Sequence, residues 1–202
     1  MNTRRVPRKR RGRNVTWMFS AKNGQSIFID SFLEQTYAYL LELSAEVKSY
    51  ATQPESLHVR INGRKSTYTP DFLVANVDGS SYYVEVHHTE FINETFLSKM
   101  EAVSEHIKAH STSGFIIVTN KDLPTELGEN LKLITVNRNK TALQHVNVDT
   151  LPLETTFSDL HQCLSAVSSD PAGAIYELLA QQEYEYQECL PLNPDSLLRR
   201  IS

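Results

Sequence analysis

Two short runs hold the residues best suited to chemistry, Pro70-Asp71-Phe72 and Glu85-Val86-His87. Both belong to segments with the alternating pattern of strands, so Glu85 and His87 project to one side while Val84 and Val86 project to the other, toward a core. Between them Asp78-Gly79 supplies the positive φ of a tight hairpin turn, and the loop length decides where Asp71 falls. A two-residue loop sets Asp71 opposite Val86, on the far face. A three-residue loop over 78–80, or an equivalent bulge, sets it opposite His87 and beside Glu85, and this is the register expected. Two carboxylates converging there repel each other unless a divalent cation lies between them. Hard oxygen ligands with no cysteine nearby favour Mg²⁺ or Mn²⁺, an ion able to polarise a phosphodiester and to lower the pKa of an attacking water. The competing reading makes Glu85 and His87 the wet face of a half-exposed strand.

Further candidates are scattered along the chain. Glu34 offers a third carboxylate, although Ser31-x-x-Glu34 also fits a capping box in which Glu34 bonds the Ser31 backbone N–H. Glu42, two turns on, rivals it for any inward role. Lys99 is a helical cation within reach of a phosphate, though such lysines are commonly solvated. His106 and His110 have zinc-compatible spacing but no third ligand, so they read as a helix end with favourable charge near its C-terminus. His88 points away from His87. No glycine-rich phosphate loop occurs among the seven glycines, which argues against a nucleotide-binding enzyme. Cys163 and Cys189 stand alone, supporting neither a disulfide framework nor a zinc site; a reducing compartment is expected.

The elements that must position these groups are legible from periodicity. Phe32, Leu33, Tyr37, Leu40, Leu41 and Ala45 follow helical spacing after Asp30-Ser31. Strands 57–61, 71–77 and 81–87 follow, the first turning at Asn62-Gly63. A helix over 93–110 places Phe96, Leu97, Met100, Val103 and Ile107 on its apolar face. The runs 115–119 and 131–136 read as strands, the first apolar enough to be buried on both faces. Beyond a boundary at Leu151-Pro152-Leu153 lie three helical patterns: 157–167, 172–182 opened by Asp170 and Pro171, and 196–201. The expected architecture is α/β, a mixed central sheet flanked by helices. It divides into a basic arm over 1–18, a main domain over 19–150 and a helical or winged-helix unit over 151–202.

With 202 residues, 40% of them hydrophobic, the chain suffices for one compact domain or a domain with a small appendage. No apolar run reaches the roughly 18 residues of a membrane-spanning helix. The net charge of −4 conceals an asymmetry: residues 1–13 hold seven of the 20 cations, Arg4, Arg5, Arg8, Lys9, Arg10, Arg11 and Arg13, and none of the 24 acids. Thirteen cations against 24 acids leave −11 on the remainder. The run Asn14 to Ser20 that follows the cations is too brief and mixed for an apolar h-region, so export is not expected. It reads as a solvated tail or as a tether making phosphate contacts, the latter favoured because an acidic body repels DNA.

Glu34 on an early helix, Pro70-Asp71 and Glu85-x-His87 after a hairpin resemble the PD-(D/E)xK restriction-endonuclease-like nucleases, with the final lysine replaced. A longer series is similar to TnsA, the endonuclease subunit family of Tn7-like heteromeric transposases. It comprises Phe19-Ser20-x-Lys22, Asp30-Ser31-x-Leu33-Glu34, Leu41-Glu42 with Val47, Gln53-Pro54, Tyr68-Thr69-Pro70-Asp71-Phe72, Tyr83-Val84-Glu85-Val86, Lys99-Met100 and Val118-Thr119-x-x-Asp122. The resemblance implies a restriction-endonuclease-like fold and a Mg²⁺-dependent (or Mn²⁺-dependent) endonuclease cutting the non-transferred strands of double-stranded DNA at transposon ends. Its implied partners are the DDE transposase TnsB and the AAA+ regulator TnsC, in the bacterial cytoplasm. By position, Asp71 and Glu85 are implied metal ligands, Glu34 orients the metal or its water, and the Val86 carbonyl completes the shell. His87 stands where that family carries lysine; a histidine is shorter, mostly neutral at pH 7, and suited to act as a base or second ligand.

Overall fold

A computed structural model describes residues 16–61 and 63–201, forming two compact units that divide between Leu123 and Pro124. All seven cations of the basic arm lie outside the described residues; the stretch expected to end at 18 gives way to a strand by Thr16.

The first unit begins with a hairpin, β1 (Thr16–Ser20) and β2 (Gln25–Ile29), and continues into α1 (Phe32–Leu43). The Ser31 hydroxyl caps α1 by accepting from the Glu34 N–H at 3.1 Å. At the other end the Lys22 ammonium donates to the carbonyls of Ser44 and Val47, 2.6 Å each. A four-stranded sheet follows, built from β3 (Val47–Thr52), β6 (Phe72–Asn76), β7 (Ser81–His87) and β8 (Gly114–Thr119) in that order across the sheet. The first three strands are antiparallel. β8 runs parallel to β7, a pairing that needs a crossover, and α2 (Glu94–His110) provides it. Inserted between β3 and β6 is a separate hairpin, β4 (Leu57–Ile61) and β5 (Arg64–Tyr68).

Alternation along β7 gives the sheet two covered faces. Phe72, Val74 and Val84 are fully buried on one face, where Tyr37 of α1 meets Phe72 edge-on at 5.2 Å. Tyr83 on the other face joins Val59, Tyr68, Phe96, Met100, Val103 and Ile107 in a cluster drawn from β4, β5 and α2. Truncating Phe72 to alanine should cost about 3–5 kcal/mol. The wet-face alternative for β7 therefore fails: α2 and the inserted hairpin cover the side that carries Glu85. Two finer expectations also change. Leu97 is exposed, because the apolar stripe of α2 narrows to Phe96, Met100, Val103 and Ile107. β8 is an edge strand with Ile116 and Ile117 exposed, not one buried on both faces.

The second unit contains α3 (Thr125–Asn137), β9 (Glu154–Thr156), α4 (Phe157–Leu164), α5 (Pro171–Ala180), β10 (Tyr184–Glu185) and β11 (Leu197–Arg200). Its antiparallel sheet has the order β10-β11-β9. The run 131–136, expected as a strand, is helical: Leu127, Leu131 and Ile134 repeat at four and three residues and are all buried, a longer-range pattern that outweighs the local β-branched alternation. Conversely 196–201, expected as a helix, supplies the central strand β11, since Leu198 is fully buried and the strand pairs on both edges. α5 starts as expected, with Asp170 accepting from the Gly173 N–H at 3.0 Å and Pro171 in the first turn. A Cβ on Gly173 would lie 2.2 Å from Asp170 Oδ2, so only glycine fits this cap. Because α3 packs on α5, the expected division after 150 moves to Leu123/Pro124.

Candidate active site

The loop between β6 and β7 decides the register. Gly79, at φ 87°, donates its N–H to the Asn76 carbonyl, and the Asn76 N–H bonds the Ser80 carbonyl at 2.9 Å, so the three loop residues are 77–79. Phe72 pairs with Val84, and one step further Asp71 falls opposite Glu85. The loop has the expected length but begins one residue earlier, which keeps Asp71 on the face of Glu85 while moving it two places back from His87.

Each group is held by a neighbour whose position the fold dictates. Asp71 Oδ2 accepts from the Val86 N–H at 2.8 Å. Alternate residues of a strand present their N–H and C=O to the same edge, so Val86 turns both groups toward the start of β6, where Asp71 sits. Glu85 accepts a short hydrogen bond from the Tyr68 hydroxyl at the end of β5. The Lys99 ammonium, one turn along α2 from Phe96, lies 4.7 Å from the centre of the Tyr68 ring. His87 stacks on Phe96 at 4.0 Å, with Nδ1 4.0 Å from Glu85 Oε1. Glu34 forms its capping box in a shifted form: Oε2 accepts from the Asp30 N–H at 3.1 Å and Oε1 from the Ser31 hydroxyl at 3.0 Å, in place of the Ser31 N–H.

A cleft of about 470 Å³ gathers these elements, lined by Asp30 and Glu34 at the start of α1, by Asp71, and by Glu85, Val86 and His87 at the end of β7. Its electrostatics are strained. The Asp71 carboxyl is pushed well above the usual aspartate range, first by burial, then by repulsion from Glu85, Glu34 and Asp30, with the Val86 N–H opposing. Glu85 is raised by burial and held back by the Tyr68 hydrogen bond, Lys99 and His87. Tyr68 is itself pushed up by burial and by the charges of Glu85 and Asp71, which keeps it a hydroxyl donor.

A hard divalent cation suits this donor set. Asp71, Glu85 and the Val86 carbonyl offer oxygen alone, and the acids carry more negative charge than their hydrogen-bond donors neutralise. Among the described residues no group of three or more His, Cys, Asp or Glu side chains is arranged to hold a metal ion by itself.

The remaining candidates sort themselves out by their partners. Glu42 points away from the cleft and accepts from Ser20 Oγ at 2.8 Å, the Lys22 N–H at 2.9 Å and the Tyr50 hydroxyl at 2.9 Å. His106 and His110 stack on one another at 4.3 Å. His88 caps the short 3₁₀ turn Thr89–Phe91 and lines the same cleft as His87. Sequence reasoning missed Asp30 and Tyr68 as members of the site. Tyr68 was readable as the last inward residue of β5, three positions before Asp71; Asp30 gave no signal beyond its place before a helix cap. Neither a scan against protein-family models nor a search of curated proteins returns a match to this chain.

Proposed function

We propose that the chain is a metal-dependent DNA endonuclease, the subunit of a heteromeric transposase that cuts the non-transferred strand at each element end. The observation that carries this reading is the pairing of Asp71 with Glu85 at the mouth of a cleft that raises both. A site costly to charge when empty gains most from a divalent cation and a phosphodiester. The element order of the first unit supports it: a helix, three antiparallel strands, a crossover helix and a fourth, parallel strand, with Asp71 at the start of the second strand and Glu85 near the end of the third, is compatible with a restriction-endonuclease-like order. In the second unit the order α3, β9, α4, α5, β10, β11 with β11 central is compatible with a winged helix, a form suited to contact with DNA or with a partner subunit. TnsB-like and TnsC-like proteins are the proposed partners.

When bound, Mg²⁺ or Mn²⁺ supplies Lewis acidity toward the phosphoryl oxygen and an activated water. The chain's residues prepare that place. Val86 N–H fixes one Asp71 oxygen and so aims the other; the Tyr68 hydroxyl does the same for Glu85. Lys99 opposes the rise that burial imposes on Glu85, and Glu34, fixed by its cap, adds negative charge that favours a cation at Asp71. His87 lies flat on Phe96 with Nδ1 toward Glu85, in position to exchange a proton with water in the cleft. With the partner transposase and an element-end duplex, Asp71→Ala should abolish Mg²⁺-dependent nicking of the non-transferred strand while complex assembly persists. Nicking at the wild-type rate would sink the assignment.

A second reading has its own observation. The His87 ring is packed against Phe96 and places no ammonium at the site, consistent with a weakened nuclease retained for docking and assembly. His87→Lys separates the two: a rise in nicking favours the weakened enzyme, and no rise in a wild type that already cuts favours the active one.

A further inference from the structure

The β4–β5 hairpin has an outer face with no structural explanation. Its inner residues, Leu57, Val59, Ile61 and Tyr68, pack on or within the α2 cluster. The outer residues His58, Arg60, Lys65 and Thr67 are all exposed, as is Arg64 beside the turn. Arg60 stands directly across from Lys65, a like-charged cross-strand pair that destabilises a hairpin. Among the described residues, the side chains of Arg60, Arg64 and Lys65 make no ion pair or hydrogen bond. Residues 57–68 hold three cations and no acid, in a body that carries −11 beyond residue 13. A shallow groove of about 410 Å³ runs over this hairpin, lined by His58, Arg60, Lys65, Ser66 and Thr67, with Thr67 two residues along β5 from Lys65 on the same outer face.

We propose that this outer face grips the phosphate backbone of duplex DNA, with Arg60 and Lys65 as the principal contacts. A phosphate above the pair turns mutual repulsion into shared attraction, which explains why two cations face each other here without a carboxylate. The hairpin also connects rigidly to chemistry. Its last residue, Tyr68, bonds Glu85, and Asp71 follows three positions later, so a strand held on the ribbon is delivered to the cleft within one unit of the fold. Such contacts position the duplex and carry no sequence preference. The proposal rests on DNA being the substrate of the cleft.

The test uses the full chain and a fluorescent duplex whose binding is followed by anisotropy across a salt series. The double variant Arg60→Gln with Lys65→Gln should bind more weakly and lower the slope of log affinity against log salt by about 1.8, two contacts at roughly 0.9 each. Lys65→Arg, which keeps the charge, should keep the slope. Mn²⁺ binding should be unchanged in both, showing an intact cleft. An unchanged slope in the double variant overturns the proposal even where the protein still nicks DNA. A lowered slope in a protein that never nicks upholds the grip and removes the nuclease reading instead. If duplex binding is unaffected but affinity for poly-L-aspartate falls, the face is a docking surface for an acidic protein and the proposal fails.

Discussion

Two buried acidic sites in the first unit differ in how their charge is met. Glu42 sits between the β1–β2 hairpin, α1 and β3, with both oxygens engaged and three donors converging from Ser20, Lys22 and Tyr50. Asp71 accepts one backbone N–H and lies among three other carboxylates, and the most direct support of Glu85 is a single tyrosine hydroxyl. The first carboxylate is a fastener: its donors are local, fixed and sufficient. The second pair is held in position without being neutralised, as the proposed cation receptor requires. Burial alone does not distinguish the two; the count of donors does.

The widest separation comes from truncating one acid at each place. Asp71→Ala should lower nicking by at least about 10³-fold, roughly 4 kcal/mol of transition-state stabilisation, with little loss of stability. Glu42→Ala should do the reverse. It strands two hydroxyls and one N–H in a buried space, at a cost of about 3 kcal/mol in urea denaturation, while the activity of the folded fraction stays at wild type. A catalytic loss from Glu42→Ala in protein shown to be folded would erase the distinction.

Lys99 sharpens the same contrast at smaller amplitude, because it is the cation placed to offset Glu85. In Lys99→Met the Glu85 carboxyl rises further, so the acid limb of the pH–rate profile moves to higher pH. A loss of about tenfold near neutrality is expected, shrinking as the pH is raised, with Lys99→Arg retaining most of the activity. A uniform loss at every pH would instead make Lys99 a phosphate contact.

Much of this site was legible because it depends on local rules. The alternation of 81–87 put Glu85 on one face, Asp78-Gly79 announced the turn, and Ser31 with Glu34 marked the start of α1. The Asp71 register was legible in its parity and not in its exact partner, since one residue of loop placement shifts the pairing by two. What escaped was non-local. Tyr68 reaches Glu85 only because the inserted hairpin folds onto α2, and Lys99 reaches Tyr68 only because α2 crosses between β7 and β8. The strand-like look of 131–136 likewise yielded to packing of Leu127, Leu131 and Ile134, partners that no six-residue window contains. The β1–β2 hairpin was overlooked although Asn23-Gly24 sits between its strands.

The smallest effect tests the comparison from the side of stability. Folding raises the Asp71 carboxyl above its ordinary value, so between the unfolded and folded values the native chain binds a proton that the unfolded chain has released. The stability of the metal-free protein therefore falls as pH rises through that window. Asparagine keeps the oxygen that accepts from Val86 and removes the charge. In chelator, Asp71→Asn should match the wild type at pH well below the ordinary aspartate range, where both side chains are neutral, and become the more stable of the two near pH 7. Adding Mn²⁺ should reverse the order, because the ion stabilises only a protein able to bind it. Urea denaturation at the two pH values, with and without metal, reads all of this from one variant. Equal stability across the range would mean that the Asp71 charge is already compensated, and the Asp71–Glu85 pair would then be a second fastener like Glu42.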